Sequence, residues 1–318
     1  MTDIVLGATG FIGRALIPRL GESGATVRAA SRRPAVTQAT TGPQWIACDL
    51  ERPETLPPAL AGIETAYYLV HSMGRSDFRA VDRRCAESFA RAAAEAGCRR
   101  IIYLGGVAPR GQPSEHLASR LEVGEILRAG TVEAIELRAA MIIGNGSASW
   151  QILRDLAVRL PFMVLPRWLE SKSCPIAVED VITALVDARS LPLDGSRWFD
   201  IPGPDVLSAR EMLEIVAELQ GRRIPSVRVP VLTPRLSAMW LKLVTRTDYS
   251  LARELVLGLG QDLLPKNAVY WELTRHPPRW SFRDAAAKAL ATEPGASTAA
   301  RLVERLVRRV GPHSATRG

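Results

Sequence analysis

Cysteine is scarce in this chain, and its few cysteines are not spaced as metal or redox ligands. The 318 residues include four of them, Cys48, Cys85, Cys98 and Cys174, which lie far apart without a C-x-x-C pair. Structural zinc and a disulfide framework are therefore not expected. We expect no metal site and a reducing, cytoplasmic environment.

Long apolar runs are also missing. The uninterrupted apolar stretches fall short of the ~20 residues that a membrane-spanning helix needs. The first apolar stretch is short, lacks a basic flank and is interrupted by glycines, so we do not expect a signal peptide. With 47% hydrophobic and 23% charged residues, the composition is typical of a soluble globular protein.

The chain has fewer acidic than basic residues: 33 Asp and Glu against 41 Lys and Arg, which gives a net charge of +8. The arginine pairs are scattered, and neither a basic stripe with aromatics nor a nucleic-acid motif is present, so nucleic acid is not an expected partner. Residues 301–310 are predicted to form an amphipathic helix with one basic face. Docking onto the protein or a partner subunit is favoured for this helix over contact with an anionic membrane surface.

The most informative motif is the glycine-rich segment Gly7–Gly13, with the sequence GATGFIG. It follows the strand-like Ile4-Val5-Leu6 and precedes helix-like residues that begin at Arg14. A phosphate can approach the backbone closely only where side chains are missing, and the following helix directs its free N–H groups toward the phosphate. The motif therefore predicts a dinucleotide site, with Arg14 in the same pocket.

Strand and helix signals alternate beyond this turn, which predicts an α/β fold with a doubly wound parallel (Rossmann) sheet. We expect further strands at 26–30, 45–48, 65–70, 100–104 and 133–138, and helices at 79–96, 114–129, 150–160, from 175 onward, and at 208–220. Ser208 and Glu211 form a predicted capping box. The expected dinucleotide-binding core spans 1–145 with 175–206 returning to it. A smaller discontinuous C-terminal substrate lobe is expected from 146–174 and 207–290, and 291–318 is a linker with the tail helix.

The end of the second strand bears on the choice of nucleotide. An NAD site usually has an acidic residue there, whereas this chain has Ser31-Arg32-Arg33. Paired guanidinium N–H donors suit a 2′-phosphate, so NADPH is favoured over NADH. The alternative is that these arginines form a solvated turn. Asp49, followed by Leu50, is expected at the adenine, although an aspartate in a loop is often only a turn former.

These residues resemble the short-chain dehydrogenase/reductase superfamily in its extended or atypical branch. The landmarks in order are Gly7–Gly13, Asp49-Leu50, Leu137–Gly144 and Pro175–Val181. The segments 116–127 and 232–237 are similar to bacterial NAD(P)H-binding members related to the Rossmann accessory subunit of respiratory complex I and to NmrA-like proteins. The likeness covers about residues 1–265.

The resemblance and the glycine turn together imply a set of cofactor contacts and a smaller set of substrate contacts. The expected cofactor-binding residues are Gly7, Ala8, Thr9, Gly10, Phe11, Ile12, Gly13, Arg14, Ser31, Arg32, Arg33, Asp49, Leu50, Leu69, Val70, His71, Gly105, Gly106, Arg120, Ala139, Met141 and Ile142. The expected substrate contacts are Met141, Trp150, Pro175 and Ile176.

The catalytic residues depart from the family pattern. Catalytic members use a Ser or Thr after the fifth strand and a Tyr-x-x-x-Lys on the next helix. Here Gly105-Gly106 stand at the serine position, and the Tyr-x-x-x-Lys register falls on His116 and Arg120. In one interpretation His116 is the general acid and Arg120 binds ribose hydroxyls or an anionic substrate group. In the other, His116 is a surface residue and Arg120 pairs with Glu115 or Glu122.

These observations favour an NADPH-dependent oxidoreductase that reduces an apolar carbonyl, enone or quinone-like small molecule. A non-catalytic NAD(P)H sensor or assembly factor is the first alternative, and a nucleotide-dependent isomerase or lyase is the second. A homo-oligomer is compatible with the sequence. An aromatic and leucine-rich group could line an apolar pocket or form the core of the lobe; it comprises 239–244, Trp150, Phe162, Trp168 and Trp271.

Overall fold

The computed structural model describes residues 1–33, 42–72, 77–159, 163–165, 167–222, 226–228, 261–275 and 280–293. The strands are β1 (Thr2–Leu6), β2 (Thr26–Ser31), β3 (Gln44–Ala47), β4 (Thr65–Tyr68), β5 (Arg100–Gly106), β6 (Glu133–Ala139), β7 (Ile142–Ile143), β8 (Met163–Leu165), β9 (Lys172–Ser173), β10 (Ile176–Ala177), β11 (Arg197–Asp200), β12 (Leu207–Ser208) and β13 (Ser226–Arg228). The helices are α1 (Phe11–Glu22), α2 (Leu56–Leu60), α3 (Phe78–Glu95), α4 (Glu115–Ala129), α5 (Ala148–Arg159), α6 (Val178–Ala188), α7 (Ala209–Leu219), α8 (Tyr270–Thr274) and α9 (Phe282–Ala291).

Seven parallel strands form the main sheet in the order β3-β2-β1-β4-β5-β6-β11. The strand order reverses between β1 and β4, so the glycine turn after β1 lies at the topological switch point, where open α/β sheets bind ligands. The predicted doubly wound Rossmann fold is confirmed. The helix expected from residue 175 begins at Val178, because Ile176 and Ala177 pair with β7 as a short strand.

Helices cover both faces of this sheet. On one face α2, α3 and α4 enclose a core that includes Leu56, Phe89 and Leu127. On the other face α1 and α6 pack over Val5 and Tyr67. Every residue of β5 is buried, as expected for a central parallel strand that is covered on both sides.

A third cluster of buried residues lies where the lobe was expected. It joins α5, α7 and α9 through Trp150, Met212 and Phe282. At the start of α7 the Ser208 hydroxyl accepts a hydrogen bond from the Glu211 amide, and the Glu211 carboxylate accepts one from the Ser208 amide, so the predicted capping box is present.

Part of the range assigned to the lobe returns to the sheet. The Asp200 carboxylate, at the end of β11, accepts hydrogen bonds from the amides of Lys266 and Asn267 at 2.6 and 3.0 Å. Tyr270 and Trp271 then pack into the core under α6. Residues 261–275 thus contact the dinucleotide-binding core, and the division into core and lobe stays a prediction.

The four cysteines are buried and free. Within the described ranges, the structure contains no helix that is both long enough and apolar enough to span a membrane.

The amino end of β1 carries a buried carboxylate. Asp3 is fully buried, and its Oδ2 lies 3.4 Å from Nε of Arg189. Neither carboxylate oxygen accepts a hydrogen bond from the described residues, and the nearby Thr65 and Tyr67 hydroxyls are likewise without partners among them. Burial outweighs the attraction of Arg189 and raises the pKa of Asp3 from 3.8 to about 6.

We expect Asp3→Asn to stabilise the protein above pH 6. The pKa of Asp3 is higher in the folded protein than in the unfolded chain, so the folded protein binds more protons between pH 4 and 6. The contribution of Asp3 to the free energy of unfolding therefore rises as the pH falls from 6 to 4. The variant removes an ionised, poorly solvated carboxylate and should gain about 1–3 kcal/mol in unfolding free energy at pH 7.5, a gain that shrinks toward pH 4. Urea unfolding across this pH range measures it.

Glu64→Gln is the control. Glu64 is half-exposed and its ion pair with the amino group of Met1 is open to solvent, so removing its charge should change the stability little. An Asp3→Asn variant less stable than the wild type at pH 7.5 would show that the Arg189 pair outweighs the burial.

Candidate nucleotide and substrate site

The glycine turn is packed backbone against backbone. Gly7 has a φ of +84°, and a Cβ added there would lie 2.6 Å from the Leu69 carbonyl oxygen. A Cβ on Gly13 would collide with the Gly7 carbonyl oxygen and lie 2.8 Å from the Ala8 Cα. The Gly10 amide donates to the Gly7 oxygen at 2.9 Å. Side chains at Gly7 and Gly13 would therefore displace the turn.

The first turn of α1 suits an anion. Gly10 is the N-cap and has no side chain to accept the helix's N–H groups, and Phe11–Arg14 includes no acidic residue. The N–H groups of a helix's first turn need external acceptors, and the helix dipole favours a negative one. This cradle fits the pyrophosphate of a dinucleotide.

The residues expected around the adenosine part of the nucleotide lie after β2, after β3 and, for Arg14, in the first turn of α1. Arg32, Arg33 and Arg14 are exposed, so their guanidinium groups are available to a ligand. Asp49 is half-buried, and its Oδ1 accepts a hydrogen bond from the Glu51 amide at 3.1 Å. Asp49 therefore shapes its own turn, whether or not it also contacts a nucleotide.

The segment after β6 leads from the sheet toward the third cluster. Ala139 pairs with Gly106 across β5 and β6, and the Met141 carbonyl accepts a hydrogen bond from the Ile176 amide at 2.9 Å. Met141 and Ile142 are half-buried, whereas Pro175 and Ile176 are buried. Contacts from Met141 and Ile142 to a small molecule are thus compatible with their exposure.

The aromatic residues that could line a pocket or pack in a core are largely in cores where the structure describes them. Trp150 is fully buried in the third cluster and Trp271 packs under α6, both in agreement with the core interpretation. Phe162, 239–244, the 232–237 segment and the 301–310 tail helix lie outside the described residues, and the side chain of Trp168 is not described.

A buried ionic network explains the glycine at the serine position. A Cβ on Gly105 would lie 2.8 Å from Oε1 of Glu136, and one on Gly124 would collide with the same carboxylate. Glu136 is 1% exposed and pairs with Arg128 at 2.9 Å and Arg138 at 2.8 Å. The Arg138 guanidinium also lies 4.2 Å above the Trp198 ring. Sequence reasoning missed this network, although charged residues within the buried strand β6 were a signal for it.

On α4, His116 and Arg120 are half-buried. The His116 ring stacks on Phe78 with the centroids 4.2 Å apart and the planes at 11°. The Arg120 backbone carbonyl accepts a hydrogen bond from the Tyr103 hydroxyl at 2.9 Å. The stack holds the imidazole against the start of α3.

The carboxylates considered as partners of Arg120 are engaged by arginines of α3. Glu122 binds Arg79 at 2.9 Å and also Arg83, and Glu115 lies 3.6 Å from Arg79. This leaves less support for the interpretation in which Arg120 serves only as a surface ion pair.

One buried carboxylate, which the sequence reasoning also missed, joins the loop after β4 to α4. Oδ1 of Asp82 accepts a hydrogen bond from the Ser72 amide at 2.8 Å, and Oδ2 accepts one from the Ser119 hydroxyl at 3.0 Å. Asp82 is 5% exposed. It therefore fixes the loop that carries His71 relative to the helix that carries His116 and Arg120.

A separate cavity of about 700 Å³ lies at the amino ends of the strands, on the side of the sheet away from the glycine turn. Its lining includes Arg99, Arg100, Glu133 and Leu191, at the starts of β5 and β6 and after α6. Ligands of open α/β sheets bind at the carboxyl ends of the strands, so this cavity is not the nucleotide site.

We expect Gly13→Ala to weaken NAD(P)H binding at least about tenfold, which corresponds to about 1.4 kcal/mol. The added methyl group would displace the Gly7 carbonyl and with it the cradle. Gly21→Ala is the matched control in the same helix, because a Cβ there has open space around it. It should leave binding unchanged and slightly raise stability. Fluorescence titration with NADPH and NADH measures both variants, and wild-type affinity in Gly13→Ala would refute the cradle.

Comparisons with known proteins agree with this geometry. Residues 7–157 match the family model described as NAD(P)H-binding. The chain is 28% identical over 237 residues to ceramide reductase of Caulobacter vibrioides, which covers 71% of this chain and 73% of that protein. It is 26% identical over 286 residues to the (4-alkanoyl-5-oxo-2,5-dihydrofuran-3-yl)methyl phosphate reductase of Streptomyces griseus, which covers 88% of this chain and 95% of that protein.

Solved structures share the fold at lower identity. A short-chain dehydrogenase/reductase superfamily protein from Agrobacterium tumefaciens with bound NAD has a TM-score of 0.66 at 18% identity, over 97% of this chain and 99% of that chain. UDP-sugar epimerases also share the fold, so the structural likeness does not select a reaction.

The relation to NmrA-like proteins and to the complex I accessory subunit stays a prediction. The glycine turn, the parallel sheet and the match of residues 7–157 agree on a Rossmann fold whose amino-terminal part resembles the NAD(P)H-binding family, a fold that a short-chain dehydrogenase/reductase superfamily protein shares.

Proposed function

We propose that the protein is an NADPH-dependent reductase of an apolar carbonyl or conjugated carbonyl compound. The observation that carries the proposal is the glycine cradle at the switch point of the sheet, where neither Gly7 nor Gly13 leaves room for a Cβ. The family match and the reductase names of both relatives support it.

NADPH is the proposed cofactor because of the charges at the end of β2. Arg32 and Arg33 are exposed there, in place of the acidic residue that NAD sites usually have. Guanidinium groups donate paired hydrogen bonds to a phosphate. When bound, NADPH supplies a hydride from its nicotinamide ring.

The proton in this reaction is assigned to His116. Gly105 and Gly106 have no side chain to offer, and His116 stands in the register of the family's tyrosine. Its stack on Phe78 restrains the ring. Arg120, one helical turn later on the same face, is assigned to ribose hydroxyls. Conjugated acceptors can also take their proton from water, so they tolerate the missing tyrosine.

An apolar substrate with an alkyl chain is the proposed class. One relative is named for ceramide and the other for an alkanoyl-substituted furanone that also bears a methyl phosphate, so the alkyl chain is the feature that the two names have in common. Both names describe a molecule that bears an alkyl chain, and the half-buried Met141 and Ile142 offer apolar surface next to the end of β6. Sugar-nucleotide epimerisation is disfavoured, because it needs a proton moved to and from a hydroxyl.

A non-catalytic NAD(P)H sensor is the second candidate. The observation that favours it is the Glu136 carboxylate beside Gly105, since no serine side chain fits there without displacing that carboxylate. The two candidates share the nucleotide site and differ only in turnover. Monitoring NADPH oxidation at 340 nm with long-chain ketones, enones and quinones separates them.

Replacing Arg32 and Arg33 together by Ala should weaken NADPH binding about 10–100-fold and leave NADH binding unchanged. The loss corresponds to charge-assisted hydrogen bonds to the 2′-phosphate. Arg19→Ala, which removes one exposed positive charge from the last turn of α1, is the control for losing an arginine away from the end of β2. Equal affinities for NADH and NADPH in the wild type, unchanged in the double variant, would refute the choice of NADPH.

His116→Phe should reduce the turnover of an isolated ketone ~10²–10⁴-fold, the usual contribution of a general acid. Phenylalanine retains an aromatic ring against Phe78, so the start of α4 should be undisturbed. NADPH affinity should stay unchanged, whereas Arg120→Ala should weaken it. Steady-state kinetics and NADPH titration measure the two effects, and full turnover in His116→Phe would assign the proton to water or to another residue.

A further inference from the structure

His71 lies between the glycine turn and α4. The chain leaves β4 with the Leu69 amide donating to the Leu6 carbonyl at 3.1 Å and the Leu69 carbonyl against Gly7. Two residues later, the His71 ring lies 5.9 Å from the ring of Tyr103, whose hydroxyl binds the Arg120 carbonyl. His71 therefore lies beyond the carboxyl end of β4, two residues after the contact with the glycine turn and beside the tyrosine that binds the α4 backbone at Arg120.

This position is held by contacts of the neighbouring residue. The Ser72 amide donates to Asp82, and the other oxygen of that carboxylate binds Ser119, which directly precedes Arg120. The backbone of the His71 loop is thus connected to α4 through two hydrogen bonds. These bonds fix the backbone next to His71 relative to the backbone next to Arg120.

The Nδ1 atom of His71 is buried and has no hydrogen-bond partner among the residues that the structure describes. Burial, reinforced by the Arg120 charge, holds the pKa of His71 well below 6.5, although a contact with the Leu104 backbone carbonyl opposes the shift. The ring is therefore neutral at physiological pH. With its N–H toward that carbonyl, a neutral imidazole leaves Nδ1 as a hydrogen-bond acceptor.

Arg120 has the complementary chemistry. A guanidinium has five N–H donors and no acceptor, so it can bind a hydroxyl oxygen but cannot receive the hydroxyl proton. A hydroxyl group that accepts from Arg120 and donates to His71 satisfies both side chains. A buried acceptor without a partner costs free energy, which such a hydroxyl would recover.

We propose that His71 binds the ribose that carries the nicotinamide, accepting at Nδ1 a hydrogen bond from a ribose hydroxyl that itself accepts one from Arg120. The proposal rests on the NAD(P)H binding of the proposed function and deepens it. It gives His71 a specific partner in the cofactor, and it explains how the site holds the ribose with an arginine where the family has lysine.

Three ligands of increasing length test the proposal: ADP, ADP-ribose and the complete dinucleotide. If the wild type binds NADPH more tightly than NADH, the 2′-phosphorylated form of each ligand is used. ADP lacks the second ribose, and ADP-ribose has it without nicotinamide. By calorimetry, His71→Phe should weaken ADP-ribose and dinucleotide binding about 3–10-fold, the effect of one hydrogen bond, and leave ADP binding unchanged.

His71→Asn and His71→Gln form a matched pair that remains informative if His71→Phe fails to fold. Asn places its amide oxygen near the position of Nδ1, whereas Gln reaches the position of the other ring nitrogen. Asn should retain most of the ADP-ribose affinity and Gln should lose it. Ser72→Ala, which keeps the backbone amide that binds Asp82, is the neighbouring control and should bind all three ligands normally.

Three results would overturn the proposal. A loss confined to the complete dinucleotide would assign His71 to the nicotinamide, a loss that includes ADP would mean a disturbed turn, and unchanged affinities would mean no contact. These measurements do not depend on turnover. A wild type that binds ADP-ribose but reduces no substrate would contradict the reductase and leave the His71 assignment standing.

Discussion

The contact between the Gly7 backbone and the Leu69 carbonyl is the constraint on which the nucleotide site depends. It brings the turn after β1 against the loop after β4, the two strands between which the sheet order reverses. Because the Gly13 Cα also lies against the Gly7 carbonyl, strand, turn and helix are held together by backbone atoms alone.

A second constraint acts at Gly105, the glycine that stands at the family's serine position. Glu136 lies between two arginines with its carboxylate against Gly105 and Gly124. Removing one partner of such a buried network leaves an unpaired charge, which is strongly destabilising. A serine at position 105 would have to displace this carboxylate. The glycine at the serine position is therefore part of an alternative packing arrangement, and the proposed reaction takes its proton from α4 or from water.

The sequence predicted features that depend on local signals. The order and approximate bounds of six strands, the turn at Gly7–Gly13 and the Ser208–Glu211 capping box follow from residues close together in the chain. It did not predict β11, whose four residues include Arg197 and Asp200 and lack an apolar run. The contacts of Asp82 with Ser72 and Ser119 were also inaccessible, since they depend on how α3 packs against α4.

Binding and chemistry are physically separable in this site. The pyrophosphate cradle is made of backbone atoms, and the proposed ribose contacts need only a donor in Arg120 and an acceptor in His71. Neither depends on a tyrosine or on a serine at the end of β5. We therefore expect a chain without these side chains to retain the proposed nucleotide contacts, whatever group supplies the proton. His116, whose ring is restrained by its stack on Phe78, is the proposed proton donor for an isolated ketone, whereas turnover itself decides between a reductase and a sensor.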